Sequence, residues 1–138
     1  LEDGIATVAE RLQAIRRMAL PRQQGGGYRV GFVISPIMPI EDWREKYGQL
    51  LDDVANALDF DCDLTFELIS YRFTPGSKGI LEQGYPNSRL DLDESKRAVK
   101  CNKFGGTQYV YDKDTMSELK TFFEAAIAQR FLNAEILY

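Results

Sequence analysis

Two apolar runs separated by an amphipathic stretch do most to limit what this chain can become. Val30 to Ile34 is continuous except for Gly31, and Leu64-Thr65-Phe66-Glu67-Leu68-Ile69 is the second run. Between them, from Ile40 to Leu58, Trp43, Tyr47, Leu50, Leu51, Val54 and Leu58 share one stripe, with Glu41, Arg44, Asp52 and Asp53 off it. That pattern predicts strand, helix, strand. The first run has the look of a strand buried on both faces. Parallel pairing of the two strands would put Ser35, Pro36, Ile37 and Met38 on the same rim as Ser70, Tyr71, Arg72 and Phe73. In open sheets and barrels that rim is where ligands bind.

The flanking elements extend this α/β reading. Ile5, Val8, Leu12, Ile15 and Ala19 recur at helical spacing, with Thr7 as N-cap and Glu10 as its capping-box partner. Pro21 and Gly25-Gly26-Gly27 end that helix in a flexible linker; a phosphate-cradling loop would follow a strand instead of preceding one. Thr74-Pro75 opens a short helix that Gly84 closes. Arg89 to Leu92 is expected as a short extended piece. Ala98–Cys101 and Gln108–Tyr111 flank a glycine-bearing loop and predict a β-hairpin. Thr115 and Glu118 form a capping box for a helix reaching about Arg130, with Leu119, Phe122, Phe123, Ala126 and Ile127 as its core face. Ala134 to Tyr138 reads as a last strand. A helix at one end, a strand at the other and Leu1 in place of a start methionine suggest part of a larger α/β protein.

Composition removes whole classes of chemistry. The chain of 138 residues has no histidine, so neither a Ser-His-Asp nor a Cys-His nucleophile system can be built, nor a His-ligated zinc site. Cys62 and Cys101 are the two cysteines, too few for a four-cysteine zinc site or for holding an iron–sulfur cluster alone. So few thiols point to a reducing cytoplasm. No apolar run reaches the roughly 18 residues of a membrane span, so a soluble protein without membrane partners is expected. A net charge of −4 argues against a generally sticky nucleic-acid binder while leaving room for a local basic patch.

Such a patch lies in the hairpin. Lys96, Arg97, Lys100 and Lys103 are concentrated there with Phe104, Tyr109 and Tyr111 interleaved. Lysines neutralise phosphates, and a planar side chain at a loop tip can stack on a base or wedge between steps. The plainer reading is a solvated edge hairpin guarded by lysines against strand-to-strand association. Glu67, mid-strand, points either into a polar lumen or onto a solvated face. Arg72 could pair with it or with an anionic ligand. Asp91, Asp93 and Glu94 form an acidic turn without metal-site spacing. Cys62, between two aspartates, reads as a loop thiol, and Cys101 as a passive residue beside Lys100.

Taken in order, several segments resemble the spore photoproduct lyases. They are Gly27 to Ile37 (Gly-Tyr-Arg-Val-Gly-Phe-Val-Ile-Ser-Pro-Ile), Asp42-Trp43, Leu64 to Ile69 with Arg72-Phe73-Thr74, Leu90 to Glu94, and Asn102 to Gly106 followed by Tyr109-Val110-Tyr111. The similarity spans nearly the whole chain and concerns the C-terminal half of that family. It implies the C-terminal part of a partial (β/α)6 TIM-like barrel, with an added β-hairpin and a closing helix and strand. The boundaries so implied are a helix over 1–20, a linker over 21–28, a βαβα barrel portion over 29–93, the hairpin over 94–112 and the closing elements over 113–138.

The resemblance also implies a chemistry. The family repairs UV thymine dimers in DNA with a 4Fe–4S cluster, held on a Cys-x3-Cys-x2-Cys motif, that cleaves S-adenosylmethionine to a radical. That motif and the family's hydrogen-donor cysteine belong to an N-terminal half absent from this sequence, so this chain alone is expected to be inactive. What the resemblance places here is narrower. The Ser35-Pro36 strand end would approach the adenine of S-adenosylmethionine. Lys103-Phe104 matches the basic-aromatic pair at the tip of a hairpin that enters DNA; the reading of the charges adds Arg72, Lys100 and Arg97 as expected further substrate contacts. Many members carry Arg-Tyr at the tip, so Lys103 lacks the planar fork and Phe104 the hydroxyl; Tyr71 stands where relatives often carry His. The expected partners are UV-damaged DNA, the N-terminal half of the same protein and, through an exposed barrel edge, another copy. The competing readings are a non-catalytic DNA-binding α/β module and an interaction domain whose hairpin is merely an edge.

Overall fold

The computed structural model describes residues 4–138; the chain's first three residues, with which the first helix was expected to begin, lie outside them. Three strands form a parallel sheet in the order β1 (Val30–Ile37), β2 (Leu64–Ser70), β5 (Ala134–Leu137), so the middle strand in space is the second in sequence. Two further strands, β3 (Ala98–Cys101) and β4 (Thr107–Val110), make a separate antiparallel hairpin. Four helices complete the fold: α1 (Val8–Ala19), α2 (Trp43–Ala57), α3 (Pro75–Gly84) and α4 (Lys113–Arg130). No described helix is long and apolar enough to cross a membrane.

Alternation along β2 decides where the core lies. Leu64, Phe66 and Leu68 are buried while Thr65, Glu67 and Ile69 are only partly covered. The buried side packs on Leu51, Val54 and Leu58 of α2 and on Leu119, Phe123, Ala126 and Ile127 of α4. Phe66, fully buried, lies between Phe32 (ring centroids 5.4 Å) and Phe131 (5.1 Å). Arg130 ties the two helices, donating from Nε to Asp52 at 2.6 Å and from Nη1 to the Ala126 carbonyl at 3.0 Å.

The opposite face of the sheet is open. Val33, Glu67 and Leu137 stand in register across it, and Val33 is 62% exposed. The expectation that the first strand is covered on both faces therefore does not hold for the described residues: α2 and α4 cover the buried face, and β1 alternates like a half-covered strand.

Capping explains most element ends. Thr7 and Glu10 form the expected reciprocal capping box of α1, and Thr74 with Pro75 at N1 opens α3, where Ser77 completes the box. For α4 the cap is Asp112, three residues before the expected Thr115: its Oδ1 accepts the Thr115 N–H at 2.9 Å. Glu118 is left to pair with Arg44 of α2. Gly84 is the last residue of α3 and not a left-handed cap; Tyr85, which precedes Pro86 and so is disfavoured in helical geometry, ends the helix. Arg89 to Leu92, expected as a short extended piece, form no strand.

The glycine run after α1 is folded back on the helix instead of hanging as a flexible linker. Gly27 N–H donates to the Leu20 carbonyl at 2.6 Å and Tyr28 N–H to Met18 at 3.0 Å, while Gly25 takes φ +86°. A Cβ on Gly26 would meet the Leu20 carbonyl oxygen at 2.0 Å, so a residue with a side chain cannot sit there unchanged.

Candidate nucleic-acid interface

The hairpin projects from the rim at the C-terminal ends of β1 and β2. Register pairs Val99 with Tyr109 and Lys100 with Gln108. On the other edge of β4, Tyr109 exchanges backbone hydrogen bonds with Phe73, the residue three beyond β2 (Tyr109 N to Phe73 O 2.8 Å; Phe73 N to Tyr109 O 3.2 Å). Phe73 is buried, and its ring lies 5.3 Å from that of Tyr109. The hairpin is thus an extension of the rim itself.

At the tip the backbone is held by one side chain. Asn102 Oδ1 accepts from Phe104 N–H at 3.0 Å and from Gly106 N–H at 2.7 Å, and Gly105 N–H donates to the Asn102 carbonyl at 3.1 Å. Gly105 has φ +79°, and a Cβ on Gly106 would come within 2.7 Å of the Asn102 amide. With the turn closed from inside, nothing packs on Phe104, which is 96% exposed beside exposed Lys103. A fully exposed phenyl ring flanked by a cation can stack on another planar group and neutralise a neighbouring anion.

The basic cluster read from the sequence divides in two. Lys96 is taken up by Asp91 and Asp93, each at 3.6 Å. Asp93 also caps Ser95, whose hydroxyl and N–H donate to it and hold its carboxyl below the usual carboxylate range. The acidic turn is accordingly an internal brace. Arg97 is enclosed: its Cζ lies 3.9 Å from the Tyr111 ring centroid, 5.5 Å from Phe73 and 5.6 Å from Tyr71. Its two Nη donate to the carbonyls of Tyr71 and Asp91. Burial pushes the hydroxyls of Tyr71 and Tyr111 up from the ordinary phenol value, against the nearby guanidinium. Lys100 and Lys103, by contrast, face solvent without an ion-pair partner among the described residues.

Arg72 is exposed on the segment between β2 and α3, and it forms no ion pair with Glu67, which sits on the open sheet face. Across the rim, a register shift between Ile34 and Ile37 takes Ser35 and Pro36 out of the ladder with β2. Both are exposed, and the peptide bond joining them is cis. Tyr47 of α2 steadies this turn, its hydroxyl accepting from Met38 N–H at 3.0 Å and donating to the Pro36 carbonyl at 3.5 Å. Sequence reasoning missed Tyr47, assigning it to the core stripe; its placement four residues after Trp43 fits both roles.

The two thiols lie on different elements, Cys62 just before β2 of the parallel sheet and Cys101 at the end of β3 in the hairpin. Burial, then Asp61 and Asp63, pushes the Cys62 thiol up, and Cys101 is exposed.

A parallel α/β sheet with a cationic, aromatic-tipped hairpin at its C-terminal rim defines an α/β protein with a candidate nucleic-acid interface. The chain belongs to the spore photoproduct lyase family, whose model matches residues 1–138. It is 41% identical over 139 residues to the spore photoproduct lyase of Geobacillus sp. strain Y412MC61 and 37% identical to that of Bacillus subtilis strain 168. In each case 99% of this chain is covered and 39% of the relative. The chain therefore spans about two fifths of the length of the curated relatives it matches. A spore photoproduct lyase mutant solved with bound AdoMet and dinucleoside spore photoproduct superposes with a TM-score of 0.87 at 39% identity, covering 98% of this chain and 39% of that one. A second structure, complexed with dinucleoside spore photoproduct, gives the same TM-score and identity over 100% of this chain and 40% of the other.

Proposed function

We propose that this chain is the C-terminal portion of a radical S-adenosylmethionine lyase that repairs UV thymine dimers in DNA, and that it supplies barrel strands near the cofactor together with a lesion-probing hairpin. Family membership and the solved relatives with AdoMet and dinucleoside spore photoproduct support the reading. The observation that carries it is Phe104, 96% exposed on a tip whose shape is fixed without it. Lys103 and Phe104 then meet the lesion strand, with Lys100 and Arg72 on flanking phosphates.

In this reading residues 29–93 form the βαβα part of a partial (β/α)6 barrel, 94–112 the probe and 113–138 the closing helix and strand. The open row of Val33, Glu67 and Leu137 lines the barrel interior, and the N-terminal half of the same protein covers it. Ser35 and Pro36 fit a cofactor-facing role because the register shift frees their backbone from β2 and Tyr47 steadies the turn after them. The bound S-adenosylmethionine supplies the radical chemistry. Cys62, before β2, and Cys101, on the hairpin, do not fit a cluster, whose ligands belong to the other half. The free state of both thiols suits a reducing cytoplasm.

The test uses the intact protein that carries this chain. Replacing Lys103 and Phe104 together by alanine should weaken binding to lesion-bearing duplex by about 1–3 kcal/mol, the worth of one lost stack. Unchanged affinity would remove the hairpin from the site. The isolated chain should show no repair activity, and its unpaired β1 edge should favour self-association.

A further inference from the structure

Arg97 lies where the hairpin, the loop before it and the rim after β2 meet. Its guanidinium stacks on Tyr111, at the exit of β4, and faces Phe73 and Tyr71, which follow β2. Its donors reach the carbonyls of Tyr71 and, across the acidic turn, Asp91. Among the described residues, the hairpin strands meet the rim through backbone at one place, the reciprocal Phe73–Tyr109 bridge. A single backbone bridge is a hinge: it fixes where β4 touches the rim but not the angle at which the hairpin leaves it. A planar cation with two directed donors, clasped by three rings, fixes that angle.

We propose that Arg97 is a positioning residue for lesion recognition, setting the angle of the hairpin over the sheet rim, and that it makes no phosphate contact. The inference rests on the reading of Phe104 as the lesion probe. Its leverage is geometric. At about 3.4 Å per strand residue, the five residue steps from Tyr109 to Phe104 span at most about 17 Å, so a tilt of about 5° at the base moves the tip by up to about 1.5 Å. In catalysis a misplacement of about 1 Å can cost a factor of about 100 in rate, and a stacking contact in recognition is sensitive to the same kind of displacement.

Three variants of the intact protein, Arg97→Gln, Arg97→Lys and Phe104→Ala, separate the possibilities. Each is measured for binding to a duplex carrying one spore photoproduct and to the same duplex undamaged, across a salt series. Amide hydrogen exchange is followed at Tyr109 and Phe66. A positioning role predicts that Arg97→Gln lowers the preference for damaged duplex by about fivefold or more while the salt slope stays that of the parent. Arg97→Lys, which keeps the charge but loses the fork and the plane, should not restore the preference. The Tyr109 amide should exchange faster in both while Phe66 is unaffected.

A salt slope reduced by about 0.9 in Arg97→Gln and restored in Arg97→Lys would make Arg97 a phosphate contact and overturn the proposal. So would an unchanged preference in both Arg97 variants while Phe104→Ala loses it; the reading of the hairpin as probe would survive that result. If Phe104→Ala itself loses nothing, the probe reading fails, and the recognition role of Arg97 fails with it. Should Arg97→Gln unfold the domain, seen as lost protection at Phe66, Tyr111→Leu removes the stacking face, keeps the charge and carries the same expectations.

Discussion

The Tyr47 hydroxyl accepts the Met38 N–H at 3.0 Å, so the helix that follows β1 holds the turn at the end of β1. An element packed in the core thereby reaches out to shape the rim: the Tyr47 ring lies 5.3 Å from that of Phe123, and its hydroxyl reaches the Pro36 carbonyl. Tyr47→Phe keeps the ring packing and removes both bonds. We expect a stability loss of about 0.5–1.5 kcal/mol by urea unfolding. In the intact protein, binding of S-adenosylmethionine should weaken more than binding of DNA. Equal effects on both would mean that the turn plays no part in the cofactor side of the site.

The divided basic cluster predicts unequal salt effects. Lys100→Ala and Lys103→Ala should each lower the slope of log K for DNA against log salt by about 0.9 per lost phosphate contact. Lys96→Ala should leave it alone, because Lys96 is held by Asp91 and Asp93. Equal slopes for all three would mean that the internal pairing of Lys96 gives way when DNA arrives.

Two glycines should answer alanine in opposite ways. At Gly26 a Cβ would collide with the Leu20 carbonyl oxygen, and the closed turn after α1 must shift, costing about 1–3 kcal/mol. At Gly79, within α3, a Cβ meets nothing within 4 Å, and the helix should gain about 0.5–1 kcal/mol. Urea midpoints of the two variants, moving apart from the parent, check the pair.

Asp112 caps α4, and hydrogen bonds from the Thr115 N–H and hydroxyl hold its carboxyl below the ordinary carboxylate value. A carboxyl lowered on folding contributes stability that is full above its unfolded value and is lost as pH falls through its folded one. The stability gap between the parent and Asp112→Asn should therefore be constant at neutral pH and narrow only in the acid range below the ordinary carboxylate value. A gap that persists there would trace to the shape of the side chain and not to its charge.

Much of the fold was legible because the signals were local. The helical stripe from Trp43 to Leu58, the capping box of Thr7 with Glu10 and Thr74-Pro75 each depend on neighbours a few residues away. The misreadings share a different cause. Thr115-x-x-Glu118 satisfies the spacing of a capping box, but Asp112 is the stronger acceptor and lies one turn earlier. Gly25-Gly26-Gly27 reads as slack by composition, whereas the fold uses the missing Cβ for close approach to Leu20. The exposure of Lys103 and Phe104 at the hairpin tip could be seen because a tip residue needs no partner. The enclosure of Arg97 could not be seen, since Tyr71 and Asp91 lie 26 and 6 residues away and their convergence is a property of the tertiary structure.

The closure of the hairpin tip has a consequence for how such a protein can change. The Asn102 side chain and the backbone of Gly105 and Gly106 hold its shape, and the side chains of Lys103 and Phe104 take no part in that. Residues at those two positions can be exchanged without disturbing the scaffold that presents them. In the probe reading proposed above, what the tip recognises can therefore be altered at two positions while its scaffold is kept.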